Sequence, residues 1–357
     1  MLSFIKDRKE DFNVKNFVNE LVNASKNLGI LESKIDSYQF DGILIPMLQK
    51  KEAISSMYIE GTQTTITDVL KNEISPQQSD EKIQVEVRNH IRTLIFGAEH
   101  LRTGKFTHTF LKEIHEYMMT GIIAPGLEKT LGKYKLKDNQ IKSSTGMVVY
   151  IPPSASETKK YMDELLSFMN DSEDGLNPLI KAAMIHSQFE SIHPFSDGNG
   201  RIGRVLISLY LFKAKVINFP FFYISEAINM DKAVYYNMLT DSRTNTLDEW
   251  IKYFLHKVSV QTIKHIGYID ALNALYTKTK NTVKECINSP KFDEIIKSLF
   301  THPVLNANLL EDELAVSHGQ VVRYLNVLEE KRILLCDDRK RGKTYFFAEL
   351  LDLARGT

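Results

Sequence analysis

Cysteine is nearly absent from this chain. Only Cys286 and Cys336 occur in 357 residues, far apart and outside any metal-ligand spacing. That excludes a disulfide framework and a thiolate zinc site, and a reducing cytoplasm is the expected compartment. An excess of one charge is absent as well. Lys plus Arg and Asp plus Glu number 45 each, so no global field advertises a nucleic acid or a membrane surface. No run of about 18 apolar residues occurs, and the opening MLSFIKDRKEDF has no continuous apolar stretch. Neither a membrane span nor an export signal is therefore expected. Internal repeats and low-complexity segments are also missing. What remains, 43% hydrophobic and 25% charged, is the composition of a soluble globular protein with room for two or three domains.

The periodicity is mostly helical. Residues near 12–30, 36–60, 80–102 and 107–120 carry apolar side chains at helical spacing, with Leu44, Ile45, Leu48 and Ile54 on the second segment. A Thr-rich break lies at Thr62 to Thr67, and Gly121 with Pro125–Gly126 ends the run. Between Gly132 and Pro153 the pattern changes. A turn at Ser143-Ser144-Thr145-Gly146 precedes the β-like Met147 to Ile151, so a small exposed hairpin is expected, stopped by Pro152-Pro153. Helical spacing returns over 156–170, 178–192, 231–240 and 247–285. Beyond Ser289, helices at Phe292–Phe300, Leu309–Ala315 and Gln320–Glu330 precede two strands, Ile333–Cys336 and Thr344–Phe347. These flank the basic turn Asp337 to Lys343, and the order is that of a winged helix.

The twelve residues His193-Pro-Phe-Ser-Asp-Gly-Asn-Gly-Arg-Ile-Gly-Arg204 hold most of the chemistry. Val205, Leu206, Leu209, Phe212 and Val216 follow at helical spacing, so a glycine-rich turn opens a helix near Asn199. Unpaired N–H groups and the dipole there favour an anion. His193 is the one group in the stretch that ordinarily titrates near neutrality, and it can accept a proton from an attacking hydroxyl. Asp197 supplies a hard oxygen suited to Mg²⁺ shared with phosphates and water. Gly198 and Gly200 allow close backbone approach, and Asn199 can donate its amide to a phosphate oxygen. Arg201 and Arg204 share a face and could clamp terminal phosphates. Two arginines in a first helical turn oppose the dipole unless an anion is bound. Phe195 is expected to point inward and anchor the loop.

The string resembles the signature of the Fic family, HxFx(D/E)GNGRxxR, at every specified position. The resemblance implies a helical core that binds ATP with Mg²⁺ and transfers AMP to a Ser, Thr or Tyr hydroxyl of a target protein or of itself. It places the general base at His193 and the metal at Asp197. The nucleotide set it implies is Glu60, His193, Gly198, Asn199, Gly200, Arg201, Ile202, Gly203, Arg204 and Tyr236. Upstream, Ser56-Met-Tyr-Ile-Glu60-Gly61 is similar to the family's inhibitory motif, (S/T)xxxE(G/N). There Ser56 and Glu60 would be inhibitory, with Glu60 paired to Arg204 in the γ-phosphate's place. The hairpin Ile141 to Pro153 resembles the flap that holds a target segment by strand addition. Tyr235-Tyr236 resembles the pair whose second ring lines the nucleotide pocket.

The expected fold class is therefore mainly α: a helical Fic core with a small β-hairpin flap, an N-terminal helical extension and a C-terminal winged helix. The expected bounds are 1–104 for the extension, 105–260 for the core, 261–288 for a helical linker and 289–357 for the winged helix. Two classes of function stand. One is a self-inhibited protein adenylyltransferase, with enzymes that transfer another phosphate-linked group or remove AMP as variants of it. The other is a DNA-binding regulator with a sensory Fic core, in which Gln320, Arg323, Asn326, Arg339, Lys340, Arg341 and Lys343 would meet DNA. Intact His193 and Asp197 favour the enzyme. A homodimer stays open as a further partner, and no membrane partner is expected.

Overall fold

The computed structural model describes residues 2–37, 41–77, 81–142, 145–220, 222–339 and 342–356. Its helices are α1 (Val18–Asp36), α2 (Asp41–Ile59), α3 (Ile66–Ile74), α4 (Glu81–Thr103), α5 (His108–Met119), α6 (Ala155–Asn170), α7 (Pro178–Ile192) and α8 (Asn199–Lys213). They continue with α9 (Ser225–Asn229), α10 (Lys232–Asp241), α11 (Asp248–Cys286), α12 (Phe292–Thr301), α13 (Ala307–Leu314), α14 (His318–Glu330) and α15 (Ala348–Arg355). The strands are β1 (Ile141–Lys142), β2 (Val148–Tyr150), β3 (Val304–Asn306), β4 (Leu335–Cys336) and β5 (Thr344–Phe346). No described helix is long and apolar enough to cross a membrane.

The chain forms two compact units, and neither follows the linear bounds expected above. One comprises Met1–Ser33, Ser55–Thr62 and Val85–Ile263; the other comprises Lys34–Ile54, Gln63–Gln84 and Lys264–Thr357. Residues 261–286 of the expected linker belong to the single 39-residue helix α11.

The first unit is built around α7, whose residues Leu179 to Ile192 are all buried. Its apolar residues Leu179, Ile180, Ala182, Ala183, Met184, Ile185, Phe189 and Ile192 fall on more than one face, as a helix covered on every side requires, and its polar residues are buried with them. α8 packs along it, α5 packs on α8 and α6 on α7. Trp250 of α11 donates its indole N–H to Ala183 O at 2.8 Å, tying the α11 start to the same centre. Local signals set the ends. Thr107 caps α5 by accepting from Phe110 N, and Ser154 with Glu157 forms a capping box on α6. β1 and β2 form the expected antiparallel hairpin, pairing Ile141 with Tyr150 and Lys142 with Val148. Met147 and Ile151 beside it are 69% and 65% exposed. Ser143 and Ser144 of its expected turn lie outside the described residues.

The second unit contains a three-stranded antiparallel sheet of order β3-β5-β4, with α12, α13 and α14 in the expected order. Its strand β3 and terminal helix α15 were not expected, and neither was α3, where the sequence showed only a break. α3 is nonetheless well specified: Thr65 accepts from Asp68 N, and Val69 and Leu70 are buried. Cations of the connection between β4 and β5 have acidic partners. Arg339 pairs with Asp337 at 2.7 Å, and Lys343 lies 3.9 Å from Glu329. Lys340 and Arg341 lie outside the described residues. Arg323 and Asn326 are exposed on α14, whereas Gln320 donates to the Tyr324 hydroxyl at 2.6 Å.

Candidate active site

α7 starts on Asn177, which accepts from Leu179 N, with Pro178 opening the first turn. It ends at His193, held left-handed with φ 48°, its N–H donating to Phe189 O at 2.9 Å. Pro194 cannot continue the helix, so the chain turns into a loop. Phe195 has no exposure and stacks on the His115 ring at 4.0 Å, as the sequence led one to expect of an anchor.

Asn199 differs from expectation. Its amide oxygen accepts from Phe195 N and its NH₂ donates to Phe195 O, both at 2.8 Å, and the residue is buried. Here the amide closes the loop by pairing with both backbone groups of Phe195.

Asp197 keeps its place at the rim. One carboxylate oxygen accepts from Ala124 N at 3.0 Å and the other from Gly198 N at 2.7 Å. Each oxygen retains a further lone pair. Among the described residues no cluster of three or more His, Cys, Asp or Glu could hold a metal. A single carboxylate suits a hard cation that takes its other ligands from phosphate and water. The Asp197 carbonyl accepts from His115 Nε2 at 3.1 Å, a tautomer fixed because Gly132 N donates to Nδ1. Burial lowers His115 to about 4, so the ring is neutral.

α8 begins at Gly198 with φ 77°, and a Cβ there would overlap the Met119 thioether. At Gly200 a Cβ would overlap the Glu60 carboxylate, which lies directly over the first turn. Glu60 thus covers the start of α8, where unpaired backbone N–H groups would otherwise face solvent. Arg204 Nη2 donates to Glu60 Oε1 at 2.7 Å and to Ser56 O at 3.1 Å, while Nε donates to Ser56 Oγ at 3.0 Å. The Arg204 side chain is 1% exposed and that of Glu60 33%, so the pair sits at the mouth of a buried cationic site. Burial works to raise the Glu60 carboxyl, but Arg204, with Arg201 and Lys232, outweighs it and holds it below the usual range. Arg201 faces the same way, its Nη2 3.4 Å from Glu86 Oε1.

Ile202 is buried in the core, and Gly203 packs against Glu190, whose carboxylate a Cβ would overlap. His186 donates through Nδ1 to Gly203 O at 3.1 Å and accepts from the Tyr235 hydroxyl through Nε2 at 2.8 Å. Tyr235 is therefore a buried support, whereas Tyr236 is 43% exposed. Burial, with Glu60 nearby, raises Tyr236 to about 12. His193 is lowered to about 4, first by burial and then by Lys135, with Arg243 adding to the effect. The Glu190 carbonyl and the Glu60 charge oppose this. A neutral imidazole at pH 7 is ready to accept a proton.

Lys135, Asn139 and Glu190 are among the residues that were not picked out from sequence. Burial pushes the Glu190 carboxyl up to about 7 against the pull of Arg204, and among the described residues its Oε1 has no hydrogen-bond partner. Its position three residues before His193 on a fully buried helix was the available signal, since a charge there needs a reason.

Residues 105–211 match the model of the Fic/DOC family, and residues 18–99 match that of the Fic/DOC family N-terminal region. A probable protein adenylyltransferase of Aquifex aeolicus is 23% identical over 273 residues, 74% of this chain and 76% of that protein. The protein adenylyltransferase Fic of Aedes aegypti is 38% identical over 66 residues, but the match spans only 13% of its length. Among solved structures, a Fic family protein from Desulfovibrio desulfuricans G20 shares the fold with a TM-score of 0.61 at 20% identity. That match covers 94% of this chain and 97% of the other. A Fic domain-containing signaling protein from Bacteroides thetaiotaomicron matches 68% of this chain and 95% of its own with a TM-score of 0.55 at 24% identity. With two adjacent family matches and a helical core that carries the motif in its loop, the chain belongs to the Fic/DOC family.

Proposed function

We propose that this chain is a protein adenylyltransferase, transferring AMP from ATP to a hydroxyl of a protein target and of itself, and that Glu60 restrains it. The observation that supports this best is the 2.7 Å pair of Arg204 with Glu60 over the start of α8, the helix entered from a neutral His193. The relatives' names support the same class of reaction.

In the reaction, the acceptor hydroxyl oxygen bonds to the α-phosphorus while His193 takes its proton. The bond from the α-phosphorus to the bridging oxygen breaks, and pyrophosphate leaves. Arg201, Arg204 and the first N–H groups of α8 take up the negative charge on the leaving oxygens. Asp197 is the residue that would hold Mg²⁺, which when bound offsets phosphate charge. The exposed flap strand β2 offers an edge for the target segment. Incubation with α-labelled and with γ-labelled ATP tests the reading. Label retained on protein from the α position only is expected; label from the γ position would make this a phosphotransferase, and no label from either would remove the reading.

A further inference from the structure

We propose that Lys135 and Asn139 are positioning residues of the transfer reaction, fixing the backbone of residues 192–195 so that His193 meets the acceptor oxygen. The proposal rests on the transferase reading above. Four successive carbonyls around His193 accept hydrogen bonds from this one short segment. Lys135 N donates to Pro194 O at 2.8 Å, and Lys135 Nζ donates to Ile192 O at 3.2 Å. Asn139 Nδ2 donates to His193 O and to Phe195 O, each at 3.1 Å. Lys135 Nζ also donates to Asn139 Oδ1 at 2.8 Å, which orients the amide.

His193 is a non-glycine residue in the left-handed region, a conformation that persists only where its surroundings impose it. The Lys135–Asn139 pair supplies that constraint. Lys135 is 2% exposed, and an ammonium buried that far is retained only with good partners. Asn139 lies two residues before β1, so the clamp also sets the flap relative to the base. The charged groups facing His193 are Lys135, Arg243 and Glu60. Of these only Lys135 also holds the loop.

The test uses the full chain with Glu60→Gly as parent and adds Asn139→Ala, Lys135→Met or Lys135→Arg. Asn139→Ala and Lys135→Met are expected to lower kcat roughly 10- to 100-fold, the scale of a small misplacement, with KM for ATP nearly unchanged. Lys135→Arg should recover part of the loss. By NMR, Lys135→Met should raise the His193 titration midpoint, and Asn139→Ala should leave it. Wild-type kcat in either removal variant, or kcat lost in proportion to ATP affinity or folded fraction, overturns the proposal. So does an unmoved His193 titration in Lys135→Met. A parent that transfers no AMP removes the transferase reading instead. Amide exchange at residues 193 and 195 then decides this one: faster in Asn139→Ala if the pair holds the loop, unchanged if it does not.

Discussion

Arg204 Nη2 lies 2.7 Å from Glu60 Oε1, and the two residues are 144 positions apart in the chain. Ser56, one helical turn before Glu60, holds the same guanidinium through its hydroxyl and its carbonyl. The end of α2 and Glu60 just beyond it therefore supply anionic and hydrogen-bonding partners for a buried cation. Removing one partner of such a pair leaves a buried charge exposed to loss of stability unless a ligand replaces it. ATP is the natural replacement, so Glu60 variants should be more strongly stabilised by nucleotide than the wild type. Thermal shift with and without Mg-ATP measures this; an equal shift in both proteins would speak against competition for Arg204.

His193→Ala should leave nucleotide binding and fold intact and cut AMP transfer by about 10²–10⁴-fold, the usual weight of a general base. The readout is transfer rate alongside nucleotide affinity. Retention of more than about a tenth of the rate would assign the proton to another group.

Asp197→Ala should remove the dependence of the rate on added Mg²⁺ along with most of the rate, and chelation should stop the unmodified enzyme. Measuring rate against Mg²⁺ concentration checks both. Full rate in excess chelator would take the metal out of the reaction.

Stability should fall in mild acid. His90, His115 and His186 are pushed down to about 3, 4 and 3, chiefly by burial, so the folded state resists protons that the unfolded chain binds below about 6.5. Their contribution is intact above that value and is lost as pH falls toward the folded values. Each ring is worth up to about 1.4 kcal/mol per pH unit in that window. Glu190, raised to about 7, acts oppositely, its cost growing as pH rises through the range between 4.5 and 7. With His193 also lowered to about 4, one carboxyl stands against four rings, which leaves a net loss toward acid. Urea midpoints at pH 7 and pH 5 decide; an equal or higher midpoint at pH 5 contradicts it.

Much of the site was legible because its residues are contiguous. The loop and first turn of α8 read directly from His193 to Arg204, and Glu60 was found because a short motif marks it. Lys135, Asn139 and Glu190 were not legible, since their roles arise from distant backbone carbonyls or from burial rather than from spacing. Most of the longer helices were placed within a few residues, but α1 was expected near 12–30 and runs from Val18 to Asp36. α3 was missed at nine residues, and β3 at three, because so short a segment gives little period to count. The two compact units are discontinuous in sequence for a different reason. α3 packs on β3 and α15, a pairing between residues more than 200 positions apart that no local pattern announces.

That pairing makes the chain's C-terminal part structurally necessary. Truncation after Cys286 would uncover Val69 and Leu70, which are 0% and 2% exposed. Each loses up to about 1.5–3 kcal/mol of burial. The truncated chain should bind a hydrophobic dye and aggregate; a monomeric product with unchanged melting temperature would show that α3 does not need these partners.

The most direct measurement is the rate of automodification with Mg-ATP in the wild type, Glu60→Gly, Arg204→Ala and the double variant. If Glu60 withholds Arg204 from the nucleotide, Glu60→Gly should gain on the order of 10²-fold, the scale that correct positioning of a reacting phosphate supplies. Arg204→Ala and the double variant should both stay low, because the gain depends on the freed guanidinium. Equal rates for wild type and Glu60→Gly, or a double variant as fast as Glu60→Gly, would show that the 2.7 Å pair does not restrain the enzyme.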